Sequence, residues 1–236
     1  VVPIILCGAD EAGRGAILGP LVVSIVGVKS SGIRRLSDIG VRDSKLLSEK
    51  KRKRLYDDIV SVASAVKIKC ITPAEINEAM GNDISLNEVE AKHFSQMFDS
   101  IEEDVSAVYL DSPDVIPERF GVRFCMYSVK PTRVVGVKSD TEKGVRYTRI
   151  ISEHKADARY PVVSAASIIA KVTRDAEIAK LQKRLKLKIG SGYPSDELTI
   201  KTIRDNLKHE GLGEHIRFRW STIDRIKQTS LLEFKE

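Results

Sequence analysis

Three apolar stretches of this chain, far apart in sequence, each give way to a carboxylate. PIILCGA (3–9) runs into Asp10 and Glu11, and AVYL (107–110) runs into Asp111. A β-branched stretch ending near Ser152 is followed by Asp157. Short runs rich in Ile, Leu and Val are core strands. Acids at the ends of neighbouring strands can converge at one edge of a sheet. Turn chemistry offers a plainer account of each acid taken singly, because Asp favours turns. The Asp10–Glu11 pair asks for more, since Gly13, Arg14 and Gly15 follow it directly. Glycines let a backbone approach a ligand closely, and an arginine beside them can pair with a phosphate.

The rest of the chain reads as strands first and helices later, an α+β-like core with a helical C-terminal appendage. LVVSIVGV (21–28) and KIKCI (67–71) are further strands. Residues 48–63 form a helix, with Ser48 as N-cap and Leu55, Ile59 and Val62 at helical spacing. Residues 85–103 form another, opened by the capping-box spacing of Ser85 and Glu88. Across 121–150 we expect a strand, an exposed basic hairpin or loop, then a strand ending near Ser152. Residues 162–185 are strongly helical, with small residues packing the first turns. SGYPSD (191–196) is a turn, and 196–210 and 221–227 are further helices.

Charge and cysteine usage narrow the function classes. The 236 residues carry a net charge of +6, which favours an anionic partner, nucleic acid being the commonest. The three cysteines are widely spaced and form no C-x-x-C pair, against both a disulfide framework and a zinc site. No apolar run reaches the ~18 residues of a membrane span. The opening VVPIILCGAD lacks the basic segment and cleavage site of a signal peptide, so the expectation is a cytoplasmic protein.

Clustered acids raise one another's pKa unless cations compensate. Mg2+ or Mn2+ suits such a site, because hard divalent ions prefer oxygen ligands. Two ions about 4 Å apart clamp an in-line phosphoryl displacement.

Four stretches together carry a resemblance to a known family. GADEAGRGAILGPLVVS (8–24), RDSKLLS (42–48), EHKADARYPVVSAASIIAKVTRD (153–175) and GSGYPSD (190–196) resemble ribonuclease HII, in the family's order and in its archaeal form. The similarity extends through most of residues 1–225. It implies an RNase H-like α/β fold: a central mixed sheet flanked by helices, with a helical C-terminal subdomain. The implied division is a catalytic domain over 1–185, a helical subdomain over 186–227 and a tail over 228–236. The implied activity is hydrolysis of the RNA strand of RNA–DNA hybrids, and cutting 5′ to single ribonucleotides in duplex DNA. The ends would be a 3′-hydroxyl and a 5′-phosphate. By the same resemblance Asp10, Glu11, Asp111 and Asp157 are the catalytic, metal-holding carboxylates for two ions. Gly13, Arg14 and Gly15 match the loop that senses the ribose 2′-hydroxyl. Tyr193 matches the tyrosine that stacks on the sugar at the RNA–DNA junction. The 2′-hydroxyl is the handle that separates RNA from DNA.

Other residues keep two readings. Lys45 and Ser164, with Ser167, hold phosphates near a helix start, or are respectively a solvated charge and helix-packing residues. Lys171 and Asp175 pair along one helix. His154 supports a nearby carboxylate or leaving group, or is structural. KKRKR (50–54) is a solvated helix face. HIRFRW (215–220) combines cations with aromatics, for a duplex backbone or a docking loop. In the tail, Gln228, Leu231 and Phe234 have the Q-x-x-L-x-x-F spacing of a peptide that docks on the sliding clamp (PCNA), although Lys235 replaces the usual second aromatic. A terminal amphipathic turn is the other account. A monomer is expected by resemblance. Two rival functions remain, a two-metal nuclease for branched DNA and a non-catalytic hybrid-binding module. The first would need no 2′-hydroxyl, and the second would need no metal-holding acids.

Overall fold

The structure, a computed structural model, describes residues 4–41, 47–138, 140–209 and 211–233, with side chains as far as Gln228. The chain forms two compact units that interleave along the sequence. One comprises residues 1–11, 23–69 and 87–172, the other residues 12–22, 70–86 and 173–236.

The first unit is built on a six-stranded sheet of order β3-β2-β1-β4-β6-β5. The strands are β1 (Ile5–Ala12), β2 (Leu21–Lys29), β3 (Ala65–Ile71), β4 (Val105–Asp111), β5 (Thr132–Val134) and β6 (Thr148–Glu153). β1, β4, β6 and β5 run parallel to one another. β1 and β2 are hydrogen-bonded neighbours joined only by residues 13–20. That link is too short for a parallel crossover, so β2 turns back and the sheet is mixed. β2 is buried along its whole length up to Lys29, as a central strand covered on both faces must be.

Helices α1 (Ser30–Asp38) and α2 (Glu49–Val62) follow β2. Ser48 caps α2 by accepting from the Lys51 N–H, and Leu55 and Ile59 are its buried face. Lys50, Lys51, Lys53 and Arg54 lie on the exposed face, and Lys53 pairs with Glu49 at 2.7 Å. α4 (Leu86–Asp99) precedes β4. α5 (Pro117–Tyr127) precedes β5, and the short α6 (Ala156–Arg159) follows β6. The strand–loop–strand expected over 121–150 corresponds to β5, residues 135–147 and β6. Its first seven residues, however, are the end of α5, where Phe120, Gly121 and Phe124 are the buried face. Burial of those residues overrides the β-type propensity of VRFCMY.

Helix α7 (Pro161–Leu185) belongs to the first unit up to Val172 and to the second from Thr173. Its opening turns pack backbone against backbone. A Cβ on Gly8 of β1 would overlap the Val162–Val163 peptide. Ser24 of β2 donates to the Ala166 carbonyl at 2.7 Å. Ser164, Ala165 and Ala166 are buried there, which is why small residues fill this stretch.

The second unit adds α3 (Pro73–Gly81), α8 (Glu197–Asp205) and α9 (Ser221–Glu233). α3 opens with a full capping box between Thr72 and Glu75. Its core gathers Ile17 and Leu18 with Leu181 of α7, Ile203 of α8 and Ile223 of α9. No helix among the described residues is long and apolar enough to cross a membrane.

Candidate active site

Asp10 is the penultimate acid of β1, and Asp111 ends β4. The parallel register sets Ala9 opposite Leu110, so the two carboxylates occupy the next step of adjacent strands. Asp157 arrives from the other side of β4. β6 ends at Glu153, Lys155 takes a left-handed turn at φ 55°, and α6 begins. The result is a cluster in which ligand oxygens of Asp10, Asp111 and Asp157 lie within 4.8 Å of one another.

Asp10 and Asp157 are each only 4 % exposed. Burial pushes the Asp10 pKa well above its ordinary value, and the charges of Glu11 and Asp111 push it further. Hydrogen bonds from the Ser167 side chain and from the Glu11 N–H, at 2.7 Å, hold the carboxylate in place and work the other way. Asp111 is fixed by the Ala156 N–H at 2.7 Å, so the turn that delivers Asp157 also orients Asp111. Glu11, half-buried beside Asp10, is near enough for its charge to act on that group.

These donors fit a hard divalent cation. They are all carboxylate oxygens, converge from three elements, and repel one another without a counter-charge. Asp10, Asp111 and Asp157 would hold it.

A brace ties the link that follows Asp111 to the turn that precedes Asp157. His154 Nε2 meets the Asp114 carbonyl at 2.7 Å, so the structural reading of His154 is the one the geometry favours. Asp114 also accepts from Arg123 and, at 3.1 Å, from Asn87. Burial raises the Asp114 pKa, but these bonds and the Ile116 N–H outweigh it and leave the group below its ordinary value. A depressed carboxylate stabilises the fold above its unfolded pKa and loses that contribution as pH falls through the folded value. Thermal melts taken from neutral into acid solution should therefore show a weaker acid dependence in Asp114→Asn than in the unaltered protein.

Ser167 hydrogen-bonds Asp10 rather than standing open at a helix start. Ser164 is 1 % exposed, which favours packing over phosphate contact. Lys45 lies outside the described residues. In the second unit, Gly13 has φ 91° and Gly15 is exposed, with Arg14 half-exposed between them. Tyr193 is also half-exposed. Its loop meets the Gly13–Pro20 loop through the Gly192 carbonyl, which accepts from the Ile17 N–H at 2.9 Å. The duplex reading of HIRFRW needs correction at Arg217, which is fully buried, whereas Phe218 and Arg219 are exposed. The sequence gives no sign that Arg217 and the equally enclosed Arg174 are buried, because their carbonyl partners are far away in the chain.

The sequence profile described as ribonuclease HII matches residues 7–223. This chain belongs to the ribonuclease HII family. Pyrococcus furiosus ribonuclease HII is 41 % identical over 94 % of this chain and 91 % of its own length. The crystal structure of ribonuclease H2 from Pyrococcus horikoshii superposes with a TM-score of 0.80 at 36 % identity, covering 96 % of this chain and 99 % of that one. Archaeoglobus fulgidus ribonuclease HII, whose structure is of a complex with PCNA, is 33 % identical with a TM-score of 0.76, covering 92 % and 95 %. The chain is an endoribonuclease with an RNase H-like α/β fold.

Proposed function

We propose that this ribonuclease HII cuts the RNA strand of RNA–DNA hybrids and also cuts 5′ to a single ribonucleotide in duplex DNA, leaving a 3′-hydroxyl and a 5′-phosphate. The observation that carries the reading is the meeting of Asp10, Asp111 and Asp157 within 4.8 Å in a chain of this family. Glu11 joins them in holding two divalent ions, Mg2+ or Mn2+. When bound, such ions activate water and neutralise the charge that builds on the phosphodiester. The chain's own groups hold and aim the carboxylates: Ser167 and the Glu11 N–H on Asp10, the Ala156 N–H on Asp111. Gly13, Arg14 and Gly15 receive the ribose 2′-hydroxyl, and Tyr193 stacks on the sugar beside it. Lys45 contacts a phosphate, and the exposed Phe218 and Arg219 of HIRFRW (215–220) add duplex contacts.

In the tail, Gln228, Leu231 and Phe234 dock on a sliding clamp. Two things support this: the spacing of the three residues and the PCNA complex of the Archaeoglobus fulgidus relative. Gln228 is exposed, while the Leu231 side chain and Phe234 lie outside the described residues. The enzyme acts as a monomer in the cytoplasm, in DNA replication and repair.

The deciding assay is cleavage of a duplex carrying one ribonucleotide, with and without Mg2+ or Mn2+. Metal-dependent incision on its 5′ side is expected, with Tyr193→Ala slower by on the order of tenfold, the worth of one stacking contact. Equal cutting of all-DNA branched duplexes would instead favour a nuclease that ignores the 2′-hydroxyl.

A further inference from the structure

Among the described residues, Arg174 and Arg217 are the largest fully enclosed side chains, at 1 % and 0 % exposure. Both lie in the second unit and donate to backbone carbonyls. Arg217 Nε donates to the Gly19 carbonyl and its Nη1 to the Arg14 carbonyl, each at 3.1 Å. These two acceptors bracket the loop between β1 and β2. The guanidinium also faces the Trp220 ring, 5.3 Å from its centroid.

Arg174 Nη2 donates to the Ser191 carbonyl at 3.0 Å, and the guanidinium lies over the Tyr193 ring at 4.5 Å from its centroid. Its Nε is buried without a hydrogen-bond partner and sits where a Gly13 side chain would be. A Cβ on Gly192 would come within 2.9 Å of Nη2. Gly13 and Gly192 thus serve two ends at once: left-handed backbone, at φ 91° and 83°, and room for the cation.

Burying a guanidinium is costly unless its geometry is well satisfied. Here the cations fix two neighbouring loops and the face of one half-exposed ring. A carbonyl that accepts a charge-assisted bond also polarises its own peptide, so Arg217 on the Arg14 carbonyl strengthens the Gly15 N–H as a donor. We propose that Arg174 and Arg217 are positioning residues for ribose recognition: Arg217 sets the course and donor strength of the Gly13–Arg14–Gly15 loop, and Arg174 sets the plane of Tyr193. The proposal rests on the reading of that loop and Tyr193 as the ribose contacts. Neither arginine touches substrate.

The test uses protein labelled with 15N at glycine, together with kinetics on the single-ribonucleotide duplex. In Arg217→Gln the Gly15 and Gly13 amide signals should move. Arg217→Lys, which keeps the cation but cannot bridge both carbonyls, should move them less, and it provides the measurement if the first variant does not fold. Arg174→Met should lower kcat/KM by on the order of tenfold to a hundredfold, the loss expected for a charge-assisted contact. The same change made in Tyr193→Ala should cost about twofold or less, because the two act as a unit. Mn2+ affinity without substrate should stay unchanged throughout. Glycine amides that stay put in a folded Arg217 variant would overturn the clamp. Additive losses for Arg174→Met and Tyr193→Ala would overturn the positioning of the ring. Wild-type cutting by Tyr193→Ala alone would instead remove the ribose reading, and the purpose assigned to both arginines with it.

Discussion

Asp10→Asn should lower cleavage of an RNA–DNA hybrid by roughly a thousandfold or more while raising the melting temperature of the metal-free protein at neutral pH. The rate loss follows from removing a charged ligand oxygen from a site that stabilises developing charge, ~4 kcal/mol at about 1.4 kcal/mol per tenfold. The stability gain follows from linkage. Burial, then Glu11 and Asp111, raise the Asp10 pKa above its unfolded value. Such a group's contribution to stability is complete below the unfolded pKa and is lost as pH rises through the folded one. At neutral pH without cations, the Asp10 carboxylate therefore works against folding. Asparagine removes that charge, and its side-chain oxygen can still accept from Ser167. The unaltered protein should gain melting temperature on adding Mg2+ or Mn2+, and Asp10→Asn should gain little. Melts with and without metal check both halves. A variant that melts lower without metal and still cuts at the original rate would count against the site.

Gly8→Ala should destabilise the protein by about 3 kcal/mol or more, with loss of activity following. The added methyl would overlap the Val162–Val163 peptide, and a backbone cannot swing aside as a side chain does. β1 and the start of α7 would have to separate, and with them Asp10 from Ser167, which hydrogen-bonds it. Urea unfolding measures the stability change. Gly15→Ala, where nothing lies within 4 Å of the new methyl, is the control for alanine itself and should leave stability nearly unchanged. A Gly8→Ala protein as stable as that control would mean β1 and α7 do not pack as described.

The strands that carry acids were legible because burial and a terminal charge together leave a short pattern. PIILCGA before Asp10 and AVYL before Asp111 correspond to β1 and β4. The Ser48 cap is equally local and is present. The start of α3 is written in Thr72, Pro73 and Glu75, a capping box with proline at its first turn, yet the apolar positions of so short a helix give little periodicity. α1 is harder still. SSGIRRLSD holds two serines and a glycine at its start, and only Gly32 and Leu36 are buried. α5 reads as a strand from its aromatics and valine, and its identity comes from which residues the sheet covers.

In the site, the acids could be named but not their supports. Ser167 looks like any serine of a small-residue helix stretch until Asp10 is beside it. Arg174 and Arg217 look like two of many surface cations in a basic chain. Their burial depends on carbonyls at Ser191, Arg14 and Gly19, which only the folded loops bring near.

Crystals soaked in Mn2+ and measured at the manganese absorption edge give the most direct check of how these carboxylates work. Anomalous peaks should appear against Asp10, Asp111 and Asp157, with Glu11 alongside, and should vanish in Asp111→Asn soaked the same way. Manganese bound elsewhere, or peaks that persist at this cluster in that variant, would contradict the assignment of these side chains as the metal-holding centre.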